Sequence, residues 1–236
     1  MRSPVGPFVA ALVLALLLLV ATPAAHAASW SAHDRRGDVI ATSIKIDGLS
    51  RGDDCPRPAR HRVPHEQRRD ITSLEVDHGV DSLVLALGMR EVARSDANTD
   101  YTLHVRTPRA AYRINVMRGV DPIPGGDDKG VYVLFSEEPD FPAPSEIKDC
   151  GFITGISSLP CDGLVGEVAV RLDQVLVTIP RVCLHQPAWV RVAAESYGST
   201  RLSKEGRFTL FSDFWAPRGV ERKGFLPPFG PRVHSS

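Results

Sequence analysis

The stretch Glu167-Val-Ala-Val-Arg-Leu-Asp-Gln-Val-Leu-Val-Thr-Ile179 decides the fold class, because apolar residues alternate on both sides of a short polar break. This period of two is typical of antiparallel strands that bury one face. A two-residue turn at Asp173-Gln174 pairs Leu172 with Val175 and Val168 with Ile179, which keeps both apolar sets on one face. The stretch therefore predicts a β-hairpin.

Eight further segments show the same alternation. No stretch of about a dozen residues has the period of an amphipathic helix, so strands alone account for the pattern. We predict an all-β protein, a single-domain antiparallel β-sandwich. The predicted strands are Val39–Ile46, Ile71–Val76, Ser82–Leu87, Tyr101–Thr107, Ala111–Met117, Val131–Ser136, Trp189–Ala194 and Arg207–Phe211, with the hairpin arms Glu167–Leu172 and Val175–Ile179.

The N-terminal segment has the order of a secretory signal peptide. Arg2 precedes an apolar run from Phe8 to Val20, and Ala25-His26-Ala27 supplies an A-x-A cleavage site. The apolar run is shorter than the roughly 20 residues that cross a bilayer. We therefore predict that residues 1–27 are a signal peptide cleaved after Ala27, and that the secreted protein has no transmembrane anchor.

Composition limits the partners. Lys plus Arg and Asp plus Glu each total 28, so the chain has no net charge and no global field that would attract nucleic acid. We predict no nucleic-acid partner and a monomer. The sandwich is expected to span residues 28–215, and the Pro/Gly/Arg-rich residues 216–236 are expected to form a C-terminal tail.

The four cysteines predict disulfides, since an even number of cysteines in an exported protein is typical of bridges. When the hairpin ladder is extended outward it places Cys161 near Gln186, which is close to Cys183. This geometry favours a Cys161–Cys183 bridge and leaves Cys55 to pair with Cys150. The alternative is a Cys150–Cys161 bridge across a Gly-rich loop.

Three aspartates form a candidate metal site. Asp34 and Asp38 flank Gly37, which lets the backbone turn so that both carboxylates point at one centre. Pairing of neighbouring antiparallel strands would bring Asp70 alongside. Carboxylate oxygens suit calcium, so a structural calcium is predicted, although the fold requires no cofactor. The alternative is that these aspartates are turn residues that bond nearby amides.

A basic loop is the candidate binding surface. Residues 51–69 hold six arginines, and guanidinium groups bind phosphate through charge-assisted hydrogen bonds. We predict that this loop holds a cell-wall polymer or glycan of negative charge. The alternative is an ordinary solvated loop. The predicted contact residues are Arg60, Arg62, Arg68 and Arg69.

Several of these residues resemble known families. Asp34-Arg-Arg-Gly-Asp38, followed by Asp70-Ile71 and two alternating strands, resembles the opening of secreted sandwiches related to family-nine carbohydrate-binding modules and DOMON domains. The segments 161–164, 177–184 and 187–192 resemble the second half of a group of secreted actinobacterial proteins. The resemblance implies a jelly-roll-like sandwich, a structural calcium near the first aspartates and the Cys161–Cys183 bridge.

Function is predicted by class alone. We expect a secreted, non-catalytic binding or cell-envelope-associated protein. The alternatives are a secreted hydrolase and a DOMON-like haem-binding redox module. The sequence has no H-E-x-x-H. A haem would need axial ligands, for which the candidates are Met89, Met117, His78 and His104.

Overall fold

In the computed structural model, the residues described are 28–45, 59–92, 99–118, 130–138, 158–200, 207–216 and 227–236. The predicted signal peptide at 1–27 and the predicted Cys55–Cys150 bridge lie outside these residues. Among the described residues, no helix has the length and hydropathy to cross a membrane.

Thirteen β-strands and one short 3-10 helix make up the regular structure of the described residues. All ten predicted strands are present, some with shifted ends. The strands are β1 Ala28–His33, β2 Ile40–Lys45, β3 Ala59–Arg62, β4 Ile71–His78, β5 Ser82–Met89, β6 Thr99–Arg106, β7 Ala111–Arg118, β8 Val131–Glu137, β9 Val165–Ala169, β10 Gln174–Pro180, β11 Trp189–Ser199, β12 Arg207–Phe214 and β13 Val233–His234, with the 3-10 helix at Arg181–Leu184.

These strands form two antiparallel sheets, which confirms the predicted β-sandwich. The first sheet has the order β1-β4-β5-β10-β9. The second has the order β3-β2-β12-β11-β6-β7-β8. The short strand β13 also pairs with β11 but is not part of this linear order. Among the described strands the chain changes sheet five times, and the loops β1–β2 and β3–β4 are two of these crossings. Residues of those two loops therefore lie where the two sheets meet.

The core lies between the sheets and is apolar. Leu85 and Leu87 project from the first sheet, Leu103 and Ile114 project from the second, and Trp215 fills the space after β12. All five are fully buried. Burial of one such side chain contributes about 1.5–3 kcal/mol, which explains why alternation along the strands decides the fold.

The hairpin of β9 and β10 keeps the predicted face but not the predicted register. Val168 pairs with Val175 instead of Ile179, because the turn occupies residues 170–173 instead of two residues. The shift is an even number of positions, so Val168 and Val175 still face the core. Leu172, predicted to lie on the apolar face, is in the turn and 66% exposed.

The corrected register explains the disulfide. When the observed ladder is extended, Cys161 falls opposite Val182, one residue from Cys183. Cys161 and Cys183 form the predicted bridge with a Cα separation of 5.6 Å. The alternative Cys150–Cys161 bridge is therefore wrong.

Residues 227–236 belong to the sandwich, so the prediction of a tail from 216 to 236 is wrong for this segment. Val233 pairs with Val190 of β11 and is 4% exposed within the core. Its carbonyl accepts a hydrogen bond from Nδ1 of the buried His78 (3.0 Å). The N–H of Gly230 donates to the carbonyl of Val192 (2.8 Å), which fixes the approach to β13.

Candidate functional site

The loop between β1 and β2 folds against the start of β4. The N–H of Asp34 donates to the carbonyl of Thr72 (2.9 Å) and so extends the β1–β4 ladder. Gly37 then turns the chain with φ +71°, and a Cβ there would lie 3.1 Å from the carbonyl oxygen of Pro64. Glycine adopts this conformation without strain. Its N–H donates to both carboxylate oxygens of Asp70, at 3.0 and 2.8 Å.

Three carboxylates converge beside this turn. Asp34, Asp38 and Asp213 each place one oxygen within 4.8 Å of the other two, and we call them the acidic triad. Asp213 comes from β12 and is fully buried. Its Oδ2 accepts from the N–H of Ile71 (2.8 Å) and its Oδ1 from the N–H of Phe214 (2.9 Å). The triad thus joins a loop that leaves the first sheet to a strand of the second.

The triad holds negative charge in a poorly solvated place. Burial is the main cause that raises the pKa of Asp34 to about 8, and the charges of Asp213 and Asp38 add to it. The N–H groups of Arg35 and Ala216 act in the opposite direction. Oδ2 of Asp34 is buried and accepts no hydrogen bond from the described residues. A carboxylate in this position calls for a proton or a cation.

The sequence predicted Asp70 as the third ligand, but the structure gives it a different place. Both oxygens of Asp70 accept the Gly37 N–H, and Oδ2 lies 3.4 Å from Nη1 of Arg90. Burial raises the pKa of Asp70, against the lowering effect of the Gly37 N–H and Arg90. Asp70 therefore fixes the turn that carries the triad. Asp213 was missed because it sits inside a strand whose pairing with β2 is long-range.

The donor set of the triad fits a hard divalent cation. Carboxylate oxygens are the ligands that calcium prefers, and the triad contains no sulfur or imidazole ligand that would favour zinc. A cavity of about 460 Å³ opens beside it. The lining residues are His33, Asp34, Arg35, Arg36, Thr72 and Ser73, so Asp34 is shared by the cavity and the triad.

The predicted binding arginines divide into two groups. Arg60 and Arg62 on β3 and Arg68 in the β3–β4 loop are exposed. Arg69 is 6% exposed, with Nη1 3.3 Å from Glu66 and its guanidinium over the ring of Phe211. Arg69 therefore supports the fold and does not face a polymer.

The candidate haem ligands do not converge within either sheet. Met89 and His78 lie near opposite ends of the β4–β5 hairpin, about 20 Å apart by strand rise. Met117 and His104 share a face of the second sheet, but Met117 is four residues beyond the partner of His104, which is about 13 Å. These pairs are too far apart to bind one iron from two sides.

A second group of charges is buried on the outer face of the second sheet. Nδ1 of His104 lies 2.8 Å from Oε1 of Glu138, and Nε2 lies 3.1 Å from Oε1 of Glu195. The hydroxyl of Tyr197 donates to Oε2 of Glu195 (2.7 Å). Burial alone would lower the pKa of His104, but the two carboxylates outweigh it and raise the pKa to about 9. We call these four residues the histidine clamp.

Comparisons with protein-family models, with curated proteins and with solved structures find no match to this chain. Function is therefore argued from the arrangement of its side chains.

Proposed function

We propose that the protein is an exported, non-catalytic binding module that holds calcium at the acidic triad and an anionic polymer of the cell envelope at its exposed arginines. The acidic triad carries the proposal. Oδ2 of Asp34 is buried without a hydrogen-bond donor among the described residues, and the carboxylates of Asp38 and Asp213 lie next to this side chain. The signal-peptide pattern at 1–27 and the Cys161–Cys183 bridge support export.

Calcium would be held by Asp34, Asp38 and Asp213, with further oxygens from backbone or solvent completing its usual shell of six to eight. It would supply positive charge beside Oδ2 of Asp34, which accepts no hydrogen bond from the described residues. Asp34 belongs to the loop that leaves the first sheet and Asp213 belongs to the second sheet, so the cation would join the two sheets at this end. The role is structural.

The same loop supports the polymer-binding surface. Nε of Arg62 donates to the carbonyl of Gly37 (2.6 Å), so the turn next to the triad also fixes one arginine of β3. Arg60 and Arg68 are exposed beside it. Guanidinium groups bind phosphate and carboxylate oxygens in pairs, and salt weakens such contacts when they are exposed. Ordering of the loop by calcium should therefore strengthen retention on a polymer.

The test is retention of the purified protein on insoluble cell wall and on insoluble neutral glycans. We expect retention on the wall that falls in high salt and in a calcium chelator. The triple variant Arg60→Ser/Arg62→Ser/Arg68→Ser should be retained less. The control is Arg171→Ser/Arg207→Ser, which removes two exposed arginines elsewhere in the fold and is compared with the triple variant per arginine removed.

Three results would overturn the proposal. The first is that the wild-type protein passes through every polymer in both calcium and chelator. The second is that the protein cleaves a glycan or binds haem, which would show that its activity is not binding alone. The third is an equal loss per arginine removed in the control variant, which would assign retention to net charge instead of this surface.

A further inference from the structure

A cluster of arginines and aromatic rings lies at the end of the sandwich away from the acidic triad. Arg106 of β6 is directly opposite Arg191 of β11, and both side chains are on the outer face because Val105 and Val190 point into the core. The guanidinium carbons of Arg106 and Arg191 lie 4.8 and 5.8 Å from the ring centroid of Phe229. Two cations therefore share one ring.

A second stack continues this surface. Trp189 is two residues before Arg191 and so lies on the same face of β11. The guanidinium carbon of Arg232 is 4.5 Å from the Trp189 ring centroid. We call Arg106, Arg191, Arg232, Phe229 and Trp189 the arginine–aromatic patch.

The backbone holds the patch in place. Nε and Nη2 of Arg191 donate to the carbonyls of Gly230 (2.8 Å) and Phe229 (3.1 Å). A Cβ at Gly230 would lie 2.9 Å from the ring of Trp30, so the chain passes close over the sandwich there. Arg191 is consequently a positioning residue, because its hydrogen bonds hold the backbone that carries the Phe229 ring.

The charges of the patch are not balanced inside the fold. Arg106 and Arg232 are exposed, and within the described part of the chain neither has a carboxylate within 4.0 Å. Glu138 and Glu195 lie farther along the same face, but both are engaged by His104. Cation–π contacts at exposed sites contribute only about 0.5–1 kcal/mol each, so they leave the guanidinium charge available to an anion.

We propose that the arginine–aromatic patch binds a linear phosphodiester polymer of the cell envelope, with Arg106 and Arg232 as the contact residues. The guanidinium fork matches the free oxygens of a phosphate, and two forks on rigid stacks suit repeated charges along a chain. The ring faces are covered by guanidinium groups. Sugars and nucleic-acid bases, which bind by stacking on open ring faces, are therefore not the recognised element. This inference rests on the proposed envelope-binding function.

The test is binding of the full mature protein to soluble polyglycerol phosphate, measured by titration calorimetry at low and high salt. We expect binding that weakens with salt and falls about a hundredfold in Arg106→Ser/Arg232→Ser, since each of the two lost charge-assisted contacts costs about a factor of ten. Arg171→Ser/Arg207→Ser should bind like wild type. Arg106→Lys/Arg232→Lys keeps the charge and loses the fork, so it should show an intermediate loss while preserving the stacked stems.

The outcomes separate the patch from the proposed function. Retention on cell wall with no loss in Arg106→Ser/Arg232→Ser, but a loss in Arg60→Ser/Arg62→Ser/Arg68→Ser, would overturn the patch and leave the proposed function standing. No binding to either polymer by the wild type would overturn both. Equal or tighter binding to polyglucuronate of matched charge would overturn the phosphodiester class, and tighter binding to single-stranded DNA would overturn the exclusion of bases from recognition.

Discussion

The acidic triad and the histidine clamp both bury several titratable side chains, but they differ in how their charges are arranged. The clamp alternates charge: an imidazolium lies between two carboxylates, and a phenol donates to one of them. The triad gathers three carboxylates of like charge and leaves Oδ2 of Asp34 without a donor. The imidazole of the clamp lies within 3.1 Å of a carboxylate at each ring nitrogen. Oδ2 of Asp34 has no hydrogen-bond donor among the described residues and can take either a proton or a cation, and this difference is the basis for proposing that the triad binds a cation.

The largest change in stability is expected for His104→Gln. Removal of the imidazolium leaves Glu138 and Glu195 buried without their counter-charge, and loss of one partner of a buried ion pair costs about 3–5 kcal/mol. The free energy of unfolding in urea should fall by that amount, with or without calcium. A loss below about 1 kcal/mol would show that His104 does not stabilise the two carboxylates beside it.

The clamp should also give the protein an alkaline limit. The pKa of His104 is about 9 in the fold against 6.5 for a free histidine. Because the folded pKa is raised, its stabilisation is complete below about pH 6.5 and disappears as the pH rises through about 9. The stability lost between pH 6.5 and 10 should be on the order of 3 kcal/mol. The pH profile of unfolding for His104→Gln, which lacks the imidazole, is the control and should be flatter over this range.

The triad should respond to calcium instead. Calcium at about 100 times its dissociation constant should stabilise the wild type by about 2.7 kcal/mol. Asp34→Asn should abolish this gain, while its metal-free stability at pH 7 should lie within about 1 kcal/mol of wild type, because Asn resembles the protonated carboxyl. Melting curves in calcium and in chelator give both values. If Asp34→Asn is still stabilised by calcium, the cation binds at a site other than the triad.

The smallest effect is expected for Tyr197→Phe. It removes one hydrogen bond to Glu195 and leaves both contacts of His104 in place, so the loss should be about 1 kcal/mol. The free energies of unfolding of Tyr197→Phe and His104→Gln, both measured in urea, are compared. A loss as large as that of His104→Gln would mean that the phenol, and not the imidazolium, holds Glu195.

The alternation of apolar residues predicted which face of a strand is buried better than it predicted which residues pair between strands. In the β9–β10 hairpin the apolar face was correct, because burial repeats every second residue whichever residues pair. The register depended on the turn, and Asp173 adopts φ +51° within a four-residue turn that the alternation does not encode. Strands β1, β3 and β13 were not predicted. The polar edge strand β3 and the two-residue β13 carry no alternating apolar pattern, whereas β1 was missed although Ala28, Trp30 and Ala32 do alternate.

The site was predicted in part for the same reason. Gly37 between Asp34 and Asp38 signalled a local turn, and the turn is present. Asp213 lies far along the chain and joins the triad through sheet pairing that no local pattern reveals. Arg69 was grouped with its exposed neighbours because charge alone does not show burial.

The pairing of Val233 with Val190, and the hydrogen bond that His78 donates to the Val233 carbonyl, join parts of the chain that are far apart in sequence. The His78 contact spans 155 residues. Contacts of such long range form late because the entropy of loop closure opposes them, so this edge of the core should fold after the local hairpins.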